Sequence, residues 1–134
     1  MATGGGWVWD DTFIANSDMK AYQYHTVATA SALINRITLG TGGSAPVCIG
    51  VLQNNPSACR SATVRVRGVT KCWASIGTAI TYGDFLKSGS NGHLENVGGS
   101  TGWAIALEDL ASGSAIIEVL WLGPFYAEAA DNTP

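Results

Sequence analysis

The chain reads as an all-β protein: a small β-barrel or β-tulip-like domain with an extended N-terminal arm and a C-terminal tail. Three observations carry that reading. Short runs of apolar and β-branched residues alternate with polar ones. Turn signals recur about every 8 to 12 residues, and no segment keeps a helical period over three turns. At 134 residues one domain is expected, over 18–123, between an arm at 1–17 and a tail at 124–134. A domain of this size buries roughly two thirds of its unfolded surface and holds a core without staples.

The elements follow in order. The arm opens on "ATGGG" and continues as "WVWDDTF", which brings Trp7, Trp9 and Phe13 together. Trp is a preferred interface anchor, so this arm either folds back on the core or docks on a neighbour. "AYQYHTVA" (21–28) alternates, with Tyr22, Tyr24 and Thr26 on one face. "LINRITL" (33–39) is rich in β-branched residues, and "VCIGVL" (47–52) is a continuous apolar run. "ATVRVRG" (62–68) alternates, and "VTKCWA" (69–74) follows after a glycine. "DFLKSGSNGHLENV" (84–97) reads as a hairpin turning at "SGSNG". "WAIALE" (103–108) and "AIIEVLWL" (115–122) close the domain, and "IALEDLA" (105–111) allows one helical turn at most. The last strand is apolar on both faces, with Ile117, Val119 and Trp121 on one and Ile116, Leu120 and Leu122 on the other. One face is expected to meet the core and the other a second subunit. The tail "GPFYAEAADNTP" adds Phe125 and Tyr126 and ends in a stretch expected to be disordered. A weak echo links "CIGVLQ…ATVRVRG" to "AIALED…AIIEVLWLG" and suggests two related hairpins around one core.

Charge is sparse and uneven. Charged residues are 13% of the chain, about half the usual share, so much of the surface is small, polar or apolar. Such a surface is often covered by a partner. The net charge is −3, which gives no global field for a polyanion. Yet four of the seven basic residues lie between Arg60 and Lys71, with no acid among them. On a strand, Thr63, Arg65 and Arg67 share a face, and Val64 and Val66 point to the core. That face is solvated with a local partner such as Glu118, or meets an acidic protein surface, or meets nucleic acid. The negative charge and the lack of interleaved exposed aromatics argue against nucleic acid. Arg65 and Arg67 are expected to serve a protein contact, since Arg pairs bidentately with carboxylates.

Little else points to chemistry. Cys48, Cys59 and Cys72 are odd in number and form no CxxC, so neither a disulfide framework nor a zinc site is expected, only small buried thiols. "GGSTG" (98–102) fits G-x-S-x-G, but a strand follows Ser100 where an elbow needs a helix, and both His25 and His93 come earlier. "GTGGSA" (40–45) fits a loose dinucleotide pattern but leads into Pro46 and a strand. The two histidines have no local carboxylate or cysteine at metal spacing; His25 is expected to be half-buried and His93 to sit just beyond a turn. Glu108 and Asp109 are neighbours and would face opposite ways on a strand. No catalytic residue, metal, cofactor, small-molecule substrate or enzymatic activity is expected. "MATGGGWVWDD" has no basic and apolar leader regions, and no apolar run of 18 residues occurs, so neither a signal peptide nor a membrane contact is expected.

Taken in order, "YQYHTV", "IGVLQNNP", "ATVRVRGVTK", "GDFLKSGSNGHL" and "WAIALEDLASGSAIIEVL" resemble the capsid decoration, or cement, proteins of tailed phages. The resemblance spans Asp18 to Leu122, about four fifths of the chain. It implies an all-β, non-enzymatic virion protein on the outer surface of the head, made in the host cytoplasm. There it would bridge neighbouring subunits of the major capsid protein as a homo-oligomer, a trimer sooner than a dimer. The family has no catalytic residues to carry over, and the ends of this chain depart from its pattern. Interface residues are therefore expected among Trp7, Trp9, Phe13, Arg65, Arg67, Trp121, Phe125 and Tyr126. The competing expectation is a displayed β-module that stacks a glycan or cell-surface ligand on Trp7, Trp9, Trp73 or Trp103.

Overall fold

The computed structural model describes residues 8–30, 34–40, 48–89, 91–96, 98 and 102–123. The chain forms β1 (Trp9–Ala15), β2 (Thr26–Thr29), β3 (Arg36–Leu39), β4 (Cys48–Leu52) and β5 (Ser61–Ser75). It continues as β6 (Phe85–Ser88), β7 (Leu94–Asn96), β8 (Ala104–Ala106) and β9 (Ser114–Trp121). The all-β expectation holds, and no helix occurs among the described residues. Residues 105–111 make no helical turn; after β8 the chain bends, and Leu110 forms an isolated bridge with Ile80.

β5 organises the pairing. Its first half closes a five-stranded barrel: β1 pairs with β3 in parallel, and β3–β2, β2–β4, β4–β5 and β5–β1 are antiparallel. Its second half belongs to another five-strand circuit: β5–β7 is parallel, and β7–β6, β6–β8, β8–β9 and β9–β5 are antiparallel. The two circuits have the same connectivity when β1 is matched to β5, β2 to β6, and so on to β9. The sequence echo between the β4–β5 and β8–β9 regions falls on equivalent pairs of this arrangement. There are two cores and not one, however.

The first core gathers Ala15, Met19, Val27, Ile37, Leu52 and Val64. The second gathers Cys72, Leu86, Leu94, Ile117, Val119 and Trp121, and also Ala28 and Val51. Adjacent residues on β2 (Val27, Ala28) and on β4 (Val51, Leu52) thus face different cores. Both strands are buried on both faces, which explains the unbroken apolar run "VCIGVL".

Several boundaries differ from the sequence reading, each for a physical reason. The stretch expected as an arm contributes a strand of the barrel: β1 lies antiparallel along β5 from Trp9↔Arg67 to Ile14↔Ser61. The segment 21–28 is a strand only from Thr26, because Tyr24 takes a left-handed conformation (φ 68°) that a strand cannot contain. Its amide donates to the Leu52 carbonyl (2.7 Å) and its carbonyl accepts from Trp73 N–H (2.8 Å), which holds the strained turn in place. "ATVRVRG" and "VTKCWA" form one 15-residue strand. The glycine between them bends the strand: a bulge between Trp9 and Asp10 leaves Val66 unpaired, and Gly68 follows with φ 116°. Cys48 and Cys72 are buried as expected, but Cys59 is exposed, on a turn where it takes φ 64°. Burial pushes the Cys72 thiol far above its usual range, and Cys48 adds to the effect.

Two outcomes are expected. Trp121 is fully buried and its indole N–H has no hydrogen-bond partner, so packing alone holds it. Trp121→Ala should cost about 3–5 kcal/mol, measured by urea denaturation. In the native protein a water-soluble disulfide reagent should modify Cys59 alone, and all three thiols once denaturant is added.

Candidate interaction surface

The basic strand divides its side chains between internal bonds and the surface. Register places Asp10 of β1 opposite Arg65 of β5. The guanidinium grips that carboxylate at both ends, Nε to Oδ1 at 2.8 Å and Nη2 to Oδ2 at 3.0 Å. Its third arm, Nη1, donates to the Val69 carbonyl at 2.9 Å. The hydrogen bond to Asp10 raises the Arg65 pKa further, against a smaller opposing effect of burial. Arg65 is therefore a tie between β1 and β5. Glu118, expected as its local partner, lies opposite Lys71 on β9. Arg67 remains exposed and donates to the Leu122 carbonyl, at 3.2 Å.

Arg67 lies opposite Trp9, and the two sit at the centre of an apolar shelf. Trp9 is 62% exposed and Val8 51%, unusual for residues of their size. On one side a groove of about 440 Å³ runs from Val8 and Trp9 to Leu120 and Leu122. On the other, a groove of about 430 Å³ runs from Trp9 past Phe13, Ile49 and Val66 to Gly123. The shelf thus joins β1, β5 and β9, elements far apart in sequence. It presents a large aromatic face ringed by aliphatic carbon and the exposed Arg67 guanidinium, the composition of a protein-contact hot spot.

The other expected contact residues divide sharply. Trp7, Phe125 and Tyr126 lie outside the described residues. Phe13 is half-buried and lines the shelf. Trp121 is completely buried in the second core and presents no surface, which corrects its place among the interface residues. It sits inside because odd positions of β9 point inward, while Ile116 and Leu120 hold the outer face. Trp103 is also buried, edge-on to Trp121, so it offers no ring for a glycan. Trp73 is half-buried, with the His93 ring stacked on it at 5.4 Å.

That stack belongs to a cluster that sequence reading missed. His25 and His93 have ring centroids 4.9 Å apart, and Tyr22 meets His25 edge-on. His93 Nδ1 lies 2.6 Å from Ser75 Oγ. No carboxylate at local spacing marked these histidines, and only the fold brings a turn before β2 against the β6–β7 hairpin. Among the described residues no group of three or more His, Cys, Asp or Glu is placed to hold a metal ion. Ser100 of "GGSTG" and most of "GTGGSA" lie outside the described residues.

The chain is similar in fold to the solved structure of the head fiber gp8.5 N base of bacteriophage phi29. The match covers 86% of this chain and 94% of that one, with a TM-score of 0.59 and 18% sequence identity. No family model matches the chain. No curated protein matches it either.

The Arg65–Asp10 pair is about one quarter to one third exposed, so solvent screens it. Asp10→Ala should lower stability by about 1 kcal/mol at low salt, and the difference should shrink in 1 M salt. Paired thermal melts at the two salt concentrations check this.

Proposed function

We propose that this protein is a non-enzymatic structural component of a phage particle, seated on the outer surface of the head. There it bridges neighbouring subunits of the major capsid protein and stabilises the shell. The observation that carries this reading is the fold likeness to the phi29 head-fibre base, which extends over nearly the whole of both chains. The Trp9 shelf supplies the contact. Its apolar area, set around one exposed tryptophan, provides the kind of anchor that dominates binding energy at interfaces. Arg67 at its centre pairs with a carboxylate on the shell.

Association as a trimer strengthens the grip. Several weak contacts acting together release far more slowly than any one alone. Because such an oligomer binds only the assembled shell, it stabilises that state by mass action. The likeness to a fibre base favours a second reading, in which the domain is a mount for an appendage and contributes little to shell strength. No cofactor, small molecule, nucleic acid or membrane takes part in either.

The test is binding of purified protein to heads that lack it, followed by sedimentation. Wild-type protein should saturate the heads and raise their resistance to heat. Trp9→Glu should weaken binding tenfold or more, about 1.4 kcal/mol or above, with little change in the melting temperature of the free protein. Saturation without any gain in head stability would favour the mount. Failure of wild-type protein to bind heads would overturn both readings.

A further inference from the structure

The boundary between the two barrels carries a pair of imidazoles that head attachment does not use. His25 ends the turn before β2, and His93 follows the turn of the β6–β7 hairpin. Their rings lie 4.9 Å apart at 49°. Trp73 of β5 stacks on His93 at 13° and lies 6.0 Å from His25, while Tyr22 meets His25 edge-on at 5.2 Å. His93 Nδ1 is bonded to Ser75 Oγ, which also reaches Ser114 Oγ of β9 at 2.9 Å. His25 Nδ1 faces the Gln23 carbonyl at 3.4 Å.

Around this pair run the bonds that fasten the hairpin to β2. Thr26 N–H donates to the Gly92 carbonyl at 2.8 Å. The Thr26 and Ser88 hydroxyls share a buried hydrogen bond of 2.7 Å. Gly92, at φ 77°, fits so tightly that a Cβ there would lie 2.6 Å from Leu39 Cδ1 and 3.2 Å from His25 Cβ. Gly92 thus packs closely over His25.

Among the described residues, the groups packed on the pair are aromatic rings and hydroxyls. Tyr22, Trp73, Ser75 and Ser114 face the pair from three elements, and none of them is a carboxylate. On the hairpin, Lys87 and Glu95 are cross-strand partners, and the Glu95 carboxylate lies against Gly89. Among the described residues no carboxylate forms an ion pair with either imidazole.

We propose that the His25–His93 pair is an acid-sensitive latch, whose protonation releases the β6–β7 hairpin from β2 and opens the boundary between the barrels. A proton on either ring places a cation in a partly buried site beside a second group that must then resist charging. Burial holds both imidazoles below their ordinary value, and the nearness of His25 adds to this at His93. The sign follows from linkage. The opened hairpin exposes imidazoles that titrate near 6.5, so the open state binds more protons than the closed one. The latch is fully closed above that pH and weakens as pH falls below it. Stacking on Trp73 acts the other way, since a ring face favours a cation; the proposal requires that burial outweigh it. The latch stands independently of where the protein attaches.

The experiment uses the full chain. Proton NMR follows the two imidazoles from pH 8 to 4.5, and amide exchange gives protection factors, corrected for intrinsic rates, at pH 7.5 and 5. Both imidazoles should titrate below 6.5. Protection at the Thr26 amide should fall roughly tenfold or more, while Val119 in β9 changes less than about twofold. His93→Gln, which keeps a hydrogen-bonding group for Ser75, should remove most of the fall at Thr26. Imidazoles titrating at or above 6.5 would overturn the proposal, as would constant protection at Thr26. A parallel fall at Val119 would also overturn it, because that is global unfolding and not release of the hairpin.

Discussion

Everything in this fold hangs on β5. A single 15-residue strand serves as a wall of both barrels, turning from one to the other at the Val66 bulge and Gly68. Neither circuit closes without it, since β1 and β4 pair with its first half and β7 and β9 with its second. The two cores are also joined through β2 and β4, whose opposite faces fill one core each. Loss of packing in one barrel is therefore felt in the other, and the molecule should unfold as one cooperative unit.

Closure governs how such a protein meets a partner. Each described strand has a neighbour on both sides over part of its length, which leaves little strand edge to extend into another chain's sheet. An open stretch remains on β1, which meets β3 only at Ile14 and Ala15 and β5 along the rest. The rim offers the Trp9 shelf, where the start of β1, the bend of β5 and the end of β9 come together. The same bend turns Arg65 inward to Asp10 and leaves Arg67 outside beside Trp9. Two arginines two positions apart on one strand therefore sit differently: Arg65 fastens β1 to β5, and Arg67 stays exposed and reaches the Leu122 carbonyl.

Much of this was legible in the sequence and some was not. Apolar runs, β-branched residues and alternation located β3 through β9 to within a few residues, and the hairpin of β6 and β7 was readable from its turn residues. The continuous apolar run over 48–52 matches the burial of β4 on both faces. Pattern could not show the left-handed Tyr24, because a tyrosine at that angle is tolerated only where tertiary bonds from Leu52 and Trp73 hold it. Nor could it assign Asp10 to Arg65, since the two are distant in sequence and meet only once β1 lies along β5. Trp121 was misjudged because a strand apolar on both faces does not say which face is inside. Trp9 and Phe13 were singled out as aromatic anchors near the N-terminus, and the fold supplied the surface they share.

The most direct measurement is a cryo-electron microscopy reconstruction of a phage head carrying the protein, at a resolution that shows side chains. Density for the barrels on the outer shell, with Trp9 and Arg67 against major capsid subunits, is the result expected. Barrels located elsewhere in the particle, or on the head with the Trp9 shelf facing solvent, would contradict it.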